Sequence, residues 1–156
     1  MKEDRSLLQH ALKIAESGIE TGHGPFGAVV TKSGKIISEA SNEVILSKDP
    51  TAHAEVLAIR RASSILKTHD LSDCVLYSSC EPCPMCLGAI YWSGIKKVVY
   101  GSGRNDAEKS GFSDRLIYDE IVLEPGKRKI CFIEISDAGG EKVFKKWDGF
   151  ENKIPY

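Results

Sequence analysis

One stretch of the chain does most to decide the fold: Cys74-Val75-Leu76-Tyr77-Ser78-Ser79-Cys80-Glu81-Pro82-Cys83-Pro84-Met85-Cys86-Leu87-Gly88-Ala89-Ile90-Tyr91-Trp92. Its apolar start, residues 74–77, predicts a short β-strand. Pro82 and Pro84 mark the first turn of a helix that continues to Trp92. A second strand, residues 97–100, follows after Gly94. A strand, a helix and a strand in succession form a crossover unit, so this stretch predicts an α/β fold.

The rest of the chain continues this alternation. Residues 5–20 have apolar side chains at helical spacing, which predicts an amphipathic helix. A β-hairpin follows, with its tight turn at Lys32-Ser33-Gly34, and Asp49-Pro50-Thr51 begins a second helix. A final helix is predicted from four apolar side chains on one face: Val143, Phe144, Trp147 and Phe150. The order of elements predicts a central sheet covered by helices on both faces.

Composition favours one domain over residues 1–156. The chain is 42% hydrophobic, which suits a compact fold with a sizeable core. The net charge of -1 provides no overall positive field of the kind that attracts nucleic acids. The five cysteines are an odd number, and three of them lie at positions 80, 83 and 86. This distribution favours metal or redox chemistry in a reducing compartment over a disulfide framework.

Neither a signal peptide nor a membrane span is expected. The start of the chain, residues 1–5, contains acidic residues and lacks a following apolar run, which is not the pattern of a signal peptide. No apolar stretch approaches the roughly 20 residues needed to span a bilayer. We therefore expect a soluble cytoplasmic protein without a membrane partner.

Three side chains have the types and spacing of a zinc site: His53, Cys83 and Cys86. The two cysteines are separated by three positions, so both leave the same side of a helix. The helix N-terminus favours their thiolate form, which binds metal. His53 is predicted in the first turn of the second helix, and helices packed side by side would bring these ends together. One imidazole and two thiolates leave the fourth tetrahedral position to water, which predicts one catalytic Zn²⁺ per subunit. Cys80 could replace one thiolate but is interpreted as a packing residue.

Glu55 supplies a carboxylate two residues after His53. Zinc lowers the pKa of bound water to about 7. Glu55 could take the proton of this water and pass it to a ring nitrogen and then to a departing amine. Cys83 and Cys86 alone also fit a redox pair, or a structural zinc site without catalysis. Neither of these uses Glu55, and they remain the alternatives from a different functional class.

The two motifs together resemble a known superfamily. His53-Ala54-Glu55 followed by Pro82-Cys83-Pro84-Met85-Cys86 is similar to the paired signature of the cytidine deaminase-like zinc deaminases. Within it, residues 79–92 and Gly111-Phe112-Ser113-Asp114 look like bacterial guanine deaminases. The resemblance implies a three-layer α/β/α sandwich around a mixed five-stranded sheet. It also implies zinc-dependent hydrolysis of guanine to xanthine and ammonia.

The resemblance also assigns roles to single residues. Glu55 and Asp114 would be catalytic. The substrate-binding residues would be Phe26, Asn42, Ala54, Asp114 and Tyr156. The chemistry of guanine supports part of this, because a carboxylate can accept both its N1–H and its 2-amino group. The resemblance further implies a homodimer that exchanges a C-terminal segment, about residues 130–156, between subunits.

Two related substrates remain open: guanosine and a tRNA adenosine. An RNA substrate would need a basic surface, and six basic side chains lie in the C-terminal part of the chain: Lys127, Arg128, Lys129, Lys142, Lys145 and Lys146. Those interleaved with apolar residues fit the solvent-facing side of an amphipathic helix equally well. The near-neutral net charge disfavours a nucleic-acid polymer. A free purine base is therefore the expected substrate.

Overall fold

Two units make up the chain, whose computed structural model describes residues 2–155. The first unit ends at Asp114 and the second begins at Arg115. The first unit holds four strands: β1 (Gly27–Lys32), β2 (Lys35–Ser41), β3 (Cys74–Cys80) and β4 (Lys97–Ser102). Its helices are α1 (Lys2–Glu20), α2 (Val44–Ser47), α3 (Ala54–Leu66), α4 (Pro84–Trp92) and α5 (Arg104–Lys109).

The strands form one mixed sheet in the order β2-β1-β3-β4. β1 is antiparallel to both β2 and β3, whereas β3 and β4 are parallel and are connected through α4. The predicted order is confirmed: a helix, a β-hairpin, a helix, a strand, a helix and a strand follow one another along the chain. The sheet is mixed, as the resemblance implies. The number of strands implied by the resemblance is wrong, because four strands, not five, occur in residues 2–155. A strand exists only where a neighbour completes its hydrogen bonds, and a family pattern does not supply that neighbour.

Helices cover both faces of the sheet, as predicted. On one face, Ala11 of α1 packs against Val29 and Tyr77. On the other face, α3 and α4 pack against the alternate residues of the same strands, among them Ala28 and Leu76. This division follows from the two-residue period of a strand, which sends successive side chains to opposite faces.

Gly27 allows α1 to lie close to β1. A Cβ atom built on Gly27 would collide with the backbone oxygen of Ala11 and would lie 2.7 Å from the backbone nitrogen of Ala15. Both obstacles are backbone atoms of α1, so they cannot move aside as a flexible side chain would. The close approach of this helix to the sheet therefore depends on glycine at position 27.

The second unit contains α6 (Arg115–Ile121), α7 (Gly140–Asp148) and two short 3₁₀ helices, Pro125–Lys127 and Ser136–Ala138. The final helix was predicted correctly, and three of its four apolar side chains lie within α7. The apolar, strand-like sequence around Cys131 predicts a core position for this residue, but it is exposed. Within residues 2–155, none of the helices combines the length and the apolar character needed to cross a membrane.

Candidate metal centre

His53 and Cys83 each occupy the residue that precedes a helix. His53 is the N-cap of α3 and Cys83 is the N-cap of α4, both with extended backbone dihedral angles. Pro84 then begins α4, where its missing N–H costs nothing because the first amide of a helix has no partner within it. Cys86 lies in the first turn. The N-terminal ends of α3 and α4 therefore carry all three ligand residues.

The three ligand atoms form a triangle of the size that tetrahedral zinc requires. The Sγ atoms of Cys83 and Cys86 each lie 3.5 Å from Nδ1 of His53, and they lie 3.6 Å from each other. Zinc bond lengths of about 2.3 Å to sulfur and 2.0 Å to nitrogen predict separations of roughly 3.5–3.8 Å in a tetrahedron. The donor set and its dimensions both fit Zn²⁺. Cys80 is buried and is not part of this cluster, in agreement with its interpretation as a packing residue.

The cluster favours a thiolate before any metal is considered. Hydrogen bonding with Cys86 and with His53 lowers the pKa of Cys83 to about 4. The same pairing with Cys83, together with burial, raises the pKa of Cys86. The hydrogen bond to Cys83 also raises the pKa of His53. A dication would replace the protons that these groups share, because a coordinating thiol is deprotonated by the metal.

Glu55 lies directly beside the cluster and is buried. Its Oε1 accepts a hydrogen bond from the Ser78 hydroxyl at 2.9 Å. Its Oε2 lies 3.4 Å from Sγ of Cys86. Burial raises the pKa of Glu55, with the hydrogen bond from Ser78 acting in the opposite direction. The site therefore combines three metal ligands with one carboxyl group whose proton affinity is increased, as a proton carrier requires.

Comparison with known proteins places this geometry in a family. The profile described as the cytidine and deoxycytidylate deaminase zinc-binding region matches residues 1–102. This chain belongs to that deaminase family. The match includes all three metal ligands and Glu55, so the deaminase family accounts for the zinc chemistry of the site.

Within the deaminase family, relatives with two different substrates are similar to this chain. A guanine deaminase of Bacillus subtilis (strain 168) is 47% identical over 97% of both chains. A tRNA-specific adenosine deaminase of Buchnera aphidicola subsp. Schizaphis graminum is 39% identical over 83% of this chain and 85% of the relative. The X-ray structure of the Bacillus subtilis guanine deaminase superposes with a TM-score of 0.95, covering 97% of this chain and 98% of that one.

A second solved structure is more distant. The guanine deaminase from Nitrosomonas europaea superposes with a TM-score of 0.67 at 36% identity. The match covers 70% of this chain and 64% of the other.

Phe26 contacts a neighbouring aromatic ring, and Asn42 is hydrogen-bonded to neighbouring backbone. The ring of Phe26 meets that of Phe112 edge-on, with 5.0 Å between centroids. Asn42 is buried, and its backbone N–H donates to the carbonyl of Phe26. Its side-chain Oδ1 accepts a hydrogen bond from the N–H of Val44, which leaves the Nδ2 amide as the donor end of the side chain. The structure thus joins these two residues of the predicted substrate site to each other.

Asp114 is half-buried at the end of the first unit. Burial raises its pKa, and Cys83 and Glu81 act in the same direction while Arg104 opposes them. Ala54, the first residue of α3, is completely buried between His53 and Glu55. Tyr156, the remaining predicted site residue, lies outside the described residues.

One residue of the site was missed by sequence reasoning. Ser78, buried on β3, contacts Glu55 through a hydroxyl group, although it belongs to neither motif. The sequence does contain a signal for it. Residues 74, 76 and 78 share one face of the predicted strand, and Ser78 places a hydroxyl group beside the apolar Cys74 and Leu76 on that face.

Proposed function

We propose that this chain is a zinc-dependent enzyme that hydrolyses guanine to xanthine and ammonia. One observation carries this proposal: the buried Glu55 carboxyl group adjoins His53, Cys83 and Cys86 in a chain 47% identical to a guanine deaminase over 97% of its length. A structural zinc site or a redox pair has no use for that carboxyl group. The alternative outside the deaminase class is therefore disfavoured.

His53, Cys83 and Cys86 would hold the metal. A zinc ion held there would supply Lewis-acid activation of water. Glu55 would accept a proton from the attacking water and deliver it to the ring nitrogen beside the reacting carbon. The same carboxyl group would then protonate the amine that leaves as ammonia. Its increased proton affinity, caused by burial, suits a group that both takes and returns a proton near neutral pH.

Phe26, Asn42, Ala54, Asp114 and Tyr156 would bind the base. The edge-on contact with Phe112 holds the Phe26 ring, which would pack against the flat purine. Since Oδ1 of Asn42 already accepts from the N–H of Val44, its Nδ2 would be the atom that donates to an acceptor on the base.

Asp114 would select guanine over adenine. Its carboxylate can accept both the N1–H and the 2-amino group of guanine. Adenine instead presents an acceptor at N1, which an ionised carboxylate would repel. Besides this recognition, we assign Asp114 a catalytic role, which rests on the likeness of this chain to guanine deaminases.

The functional unit would be a homodimer that exchanges residues of about 130–156. The apolar face of α7 supports this, since Val143 and Phe144 are 69% and 72% exposed. An apolar helix face of this kind requires another surface to cover it. The exchanged segment would carry Tyr156 to the site of the partner subunit. A cytoplasmic location is supported by the cysteines, all five of which are free thiols.

Ammonia release from a panel of substrates tests the function. We would compare guanine, guanosine, adenosine, cytidine, cytosine and an anticodon-loop RNA, using the zinc-loaded enzyme. Guanine should be the preferred substrate. Activity on the RNA adenosine without activity on guanine would overturn the proposal and establish the second candidate, which the tRNA-specific relatives favour. Activity on guanosine alone would place the reaction on the nucleoside.

Glu55→Gln tests the proton carrier separately. The amide keeps the size of the side chain but cannot carry the proton, so kcat should fall by roughly 100- to 10,000-fold. Zinc content should remain that of the wild type because Glu55 is not one of the ligands. Glu16→Gln, on the exposed side of α1, is the matched control and should retain full activity. Retained turnover in Glu55→Gln would remove this residue from the mechanism.

A further inference from the structure

Ser78 lies on an inner strand of the sheet, between two neighbouring strands. It lies in β3, where its backbone pairs with Ala28 of β1 on one side and with Tyr100 of β4 on the other. The residue is 1% exposed. Alternation along the strand places its side chain on the same face as Cys74 and Leu76, which belong to the apolar core beneath α3 and α4. A hydroxyl group thus occupies a position where an apolar side chain would be expected.

This hydroxyl is bonded to the proposed proton carrier. Ser78 Oγ donates to Oε1 of Glu55 at 2.9 Å. The other oxygen, Oε2, faces Sγ of Cys86 at 3.4 Å. The two contacts come from different sides, one from the sheet and one from α4. Together they define the orientation of the carboxyl plane.

The contact between Ser78 and Glu55 differs from ordinary core packing because it joins two buried polar groups. A buried hydroxyl without a partner destabilises the fold, so an apolar residue would be the simpler choice at position 78. The hydroxyl is satisfied here because Oε1 of Glu55 accepts a hydrogen bond from it. Glu55 is itself 5% exposed, so little water competes for this oxygen.

We infer that Ser78 is a positioning residue, which holds the Glu55 carboxyl group in the orientation that proton transfer requires. This inference rests on the role of Glu55 in the proposed function. Proton transfer needs heavy atoms about 2.6–3.2 Å apart. A displacement of about 1 Å can reduce a rate by roughly 100-fold. Ser78 is outside the ligand cluster, so its effect should appear in the rate and not in metal binding.

Ser38 offers a matched control for Ser78. Its buried hydroxyl donates to the backbone carbonyl of Ala58 at 2.7 Å, so it also connects a strand to α3. Its partner is a backbone carbonyl and not the carboxyl group of Glu55. Ser38→Ala therefore removes a bond of the same kind between the same two layers, without releasing the proton carrier.

The kinetic test compares Ser78→Ala with Ser38→Ala in the zinc-loaded enzyme. Ser78→Ala should lower kcat by roughly 10- to 100-fold and change the KM for guanine by less than about twofold. Ser38→Ala should keep kcat within about twofold of wild type, because it leaves the reacting groups in place. Ser78→Thr restores a hydroxyl and should recover most of the rate. An unchanged kcat in Ser78→Ala, or an equal loss in Ser38→Ala, would overturn the inference.

Two further measurements test the inference without Ser78→Thr, and the second of them needs no substrate. In the Glu55→Gln background, Ser78→Ala should cause no further loss of rate, and an additive loss would contradict the inference. In crystals of the zinc-loaded proteins, the Glu55 carboxyl group should leave its wild-type position in Ser78→Ala and keep it in Ser38→Ala. An unmoved carboxyl group would overturn the inference. Failure of the wild type to release ammonia from guanine would instead overturn the proposed function, while the crystals still test Ser78.

Discussion

Ala28, Val30 and Leu76 of the first unit are completely buried, whereas Val143 and Phe144 of the second unit are 69% and 72% exposed. The first unit contains the sheet, the core clusters and the three metal ligands. The second unit is also rich in large apolar residues, but none of the residues described there is buried. Among the described residues, the buried core and the three metal ligands therefore lie in the first unit. The second unit exposes its large apolar side chains.

Substituting one cysteine in each unit should give the largest difference between the two units in zinc binding and activity. Cys86→Ser in the first unit replaces a soft thiolate by a hydroxyl, which is a much poorer ligand for zinc. We expect loss of bound zinc and a fall in activity of more than roughly 100-fold, since even substitutions outside the ligand shell cost 10- to 100-fold. Cys131→Ser in the exposed second unit should leave both unchanged. Zinc content measured by atomic absorption, beside ammonia release, checks both variants; equal behaviour would break the comparison.

The metal ligands could be predicted because their spacing is local. Cys83 and Cys86 share one helix turn, and Pro82 and Pro84 marked the start of α4 to within two residues. The second helix was predicted to begin at residues 49–51, but α3 begins at Ala54, so His53, like Cys83, is a cap and not a first-turn residue. The convergence of two helix ends then followed from the order of elements. Because all three ligands lie at the N-terminal ends of helices, the sequence predicts most of the geometry of the metal site.

Other features depend on contacts that a pattern does not specify. Ser78 and Glu55 are 23 positions apart, and only the packing of α3 on the sheet brings them together. The five-stranded sheet came from resemblance, and residues 130–135, though rich in isoleucine, form no strand. Cys131 within them was expected in the core and is exposed. Strand formation and burial both require a neighbouring surface, which periodicity alone cannot supply.

The glycines test whether the two units differ in packing as well as in chemistry. Gly27→Ala would place a Cβ atom against backbone atoms of α1, and overpacking of this kind costs roughly 1–3 kcal/mol in the free energy of unfolding. Gly140→Ala, at the start of α7, meets nothing within 4 Å and should change stability by less than about 0.5 kcal/mol. Urea unfolding of the zinc-loaded proteins measures both. Equal destabilisation would show that the second unit is packed as tightly as the first.

Phe144 tests the purpose of the exposed face of α7. If a second copy of the chain covers this face, truncation of a large aromatic side chain should weaken dimerisation by roughly 30-fold, as expected for the loss of about 2 kcal/mol. Phe144→Ala is compared with Lys146→Ala on the same helix, which should have little effect. Sedimentation equilibrium gives the dissociation constants. A monomeric wild type, or a dimer unaffected by Phe144→Ala, would contradict the proposed exchange.

Asp4, in the first unit, should have the smallest effect of these residues, a change in how stability depends on pH. Its Oδ1 accepts hydrogen bonds from Lys97 at 2.6 Å and from Tyr77 at 3.0 Å, which connects α1 to β4 and β3. These bonds, that of Lys97 first, lower the pKa of Asp4 from 3.8 to about 2. The folded carboxylate therefore stays ionised where the unfolded one takes up a proton. Its contribution to stability is complete above the unfolded pKa and is lost as the pH falls towards the folded one.

We therefore expect Asp4→Asn to flatten the loss of stability between about pH 4 and pH 2, relative to wild type. Lys97→Gln should flatten it in the same way, because Lys97 is the larger cause of the lowered pKa. Urea unfolding at a series of pH values measures the slopes. Parallel slopes for wild type and Asp4→Asn would mean that α1 is held to the sheet by its apolar contacts, Ala11 with Val29 and Tyr77, and not by this ionic connection.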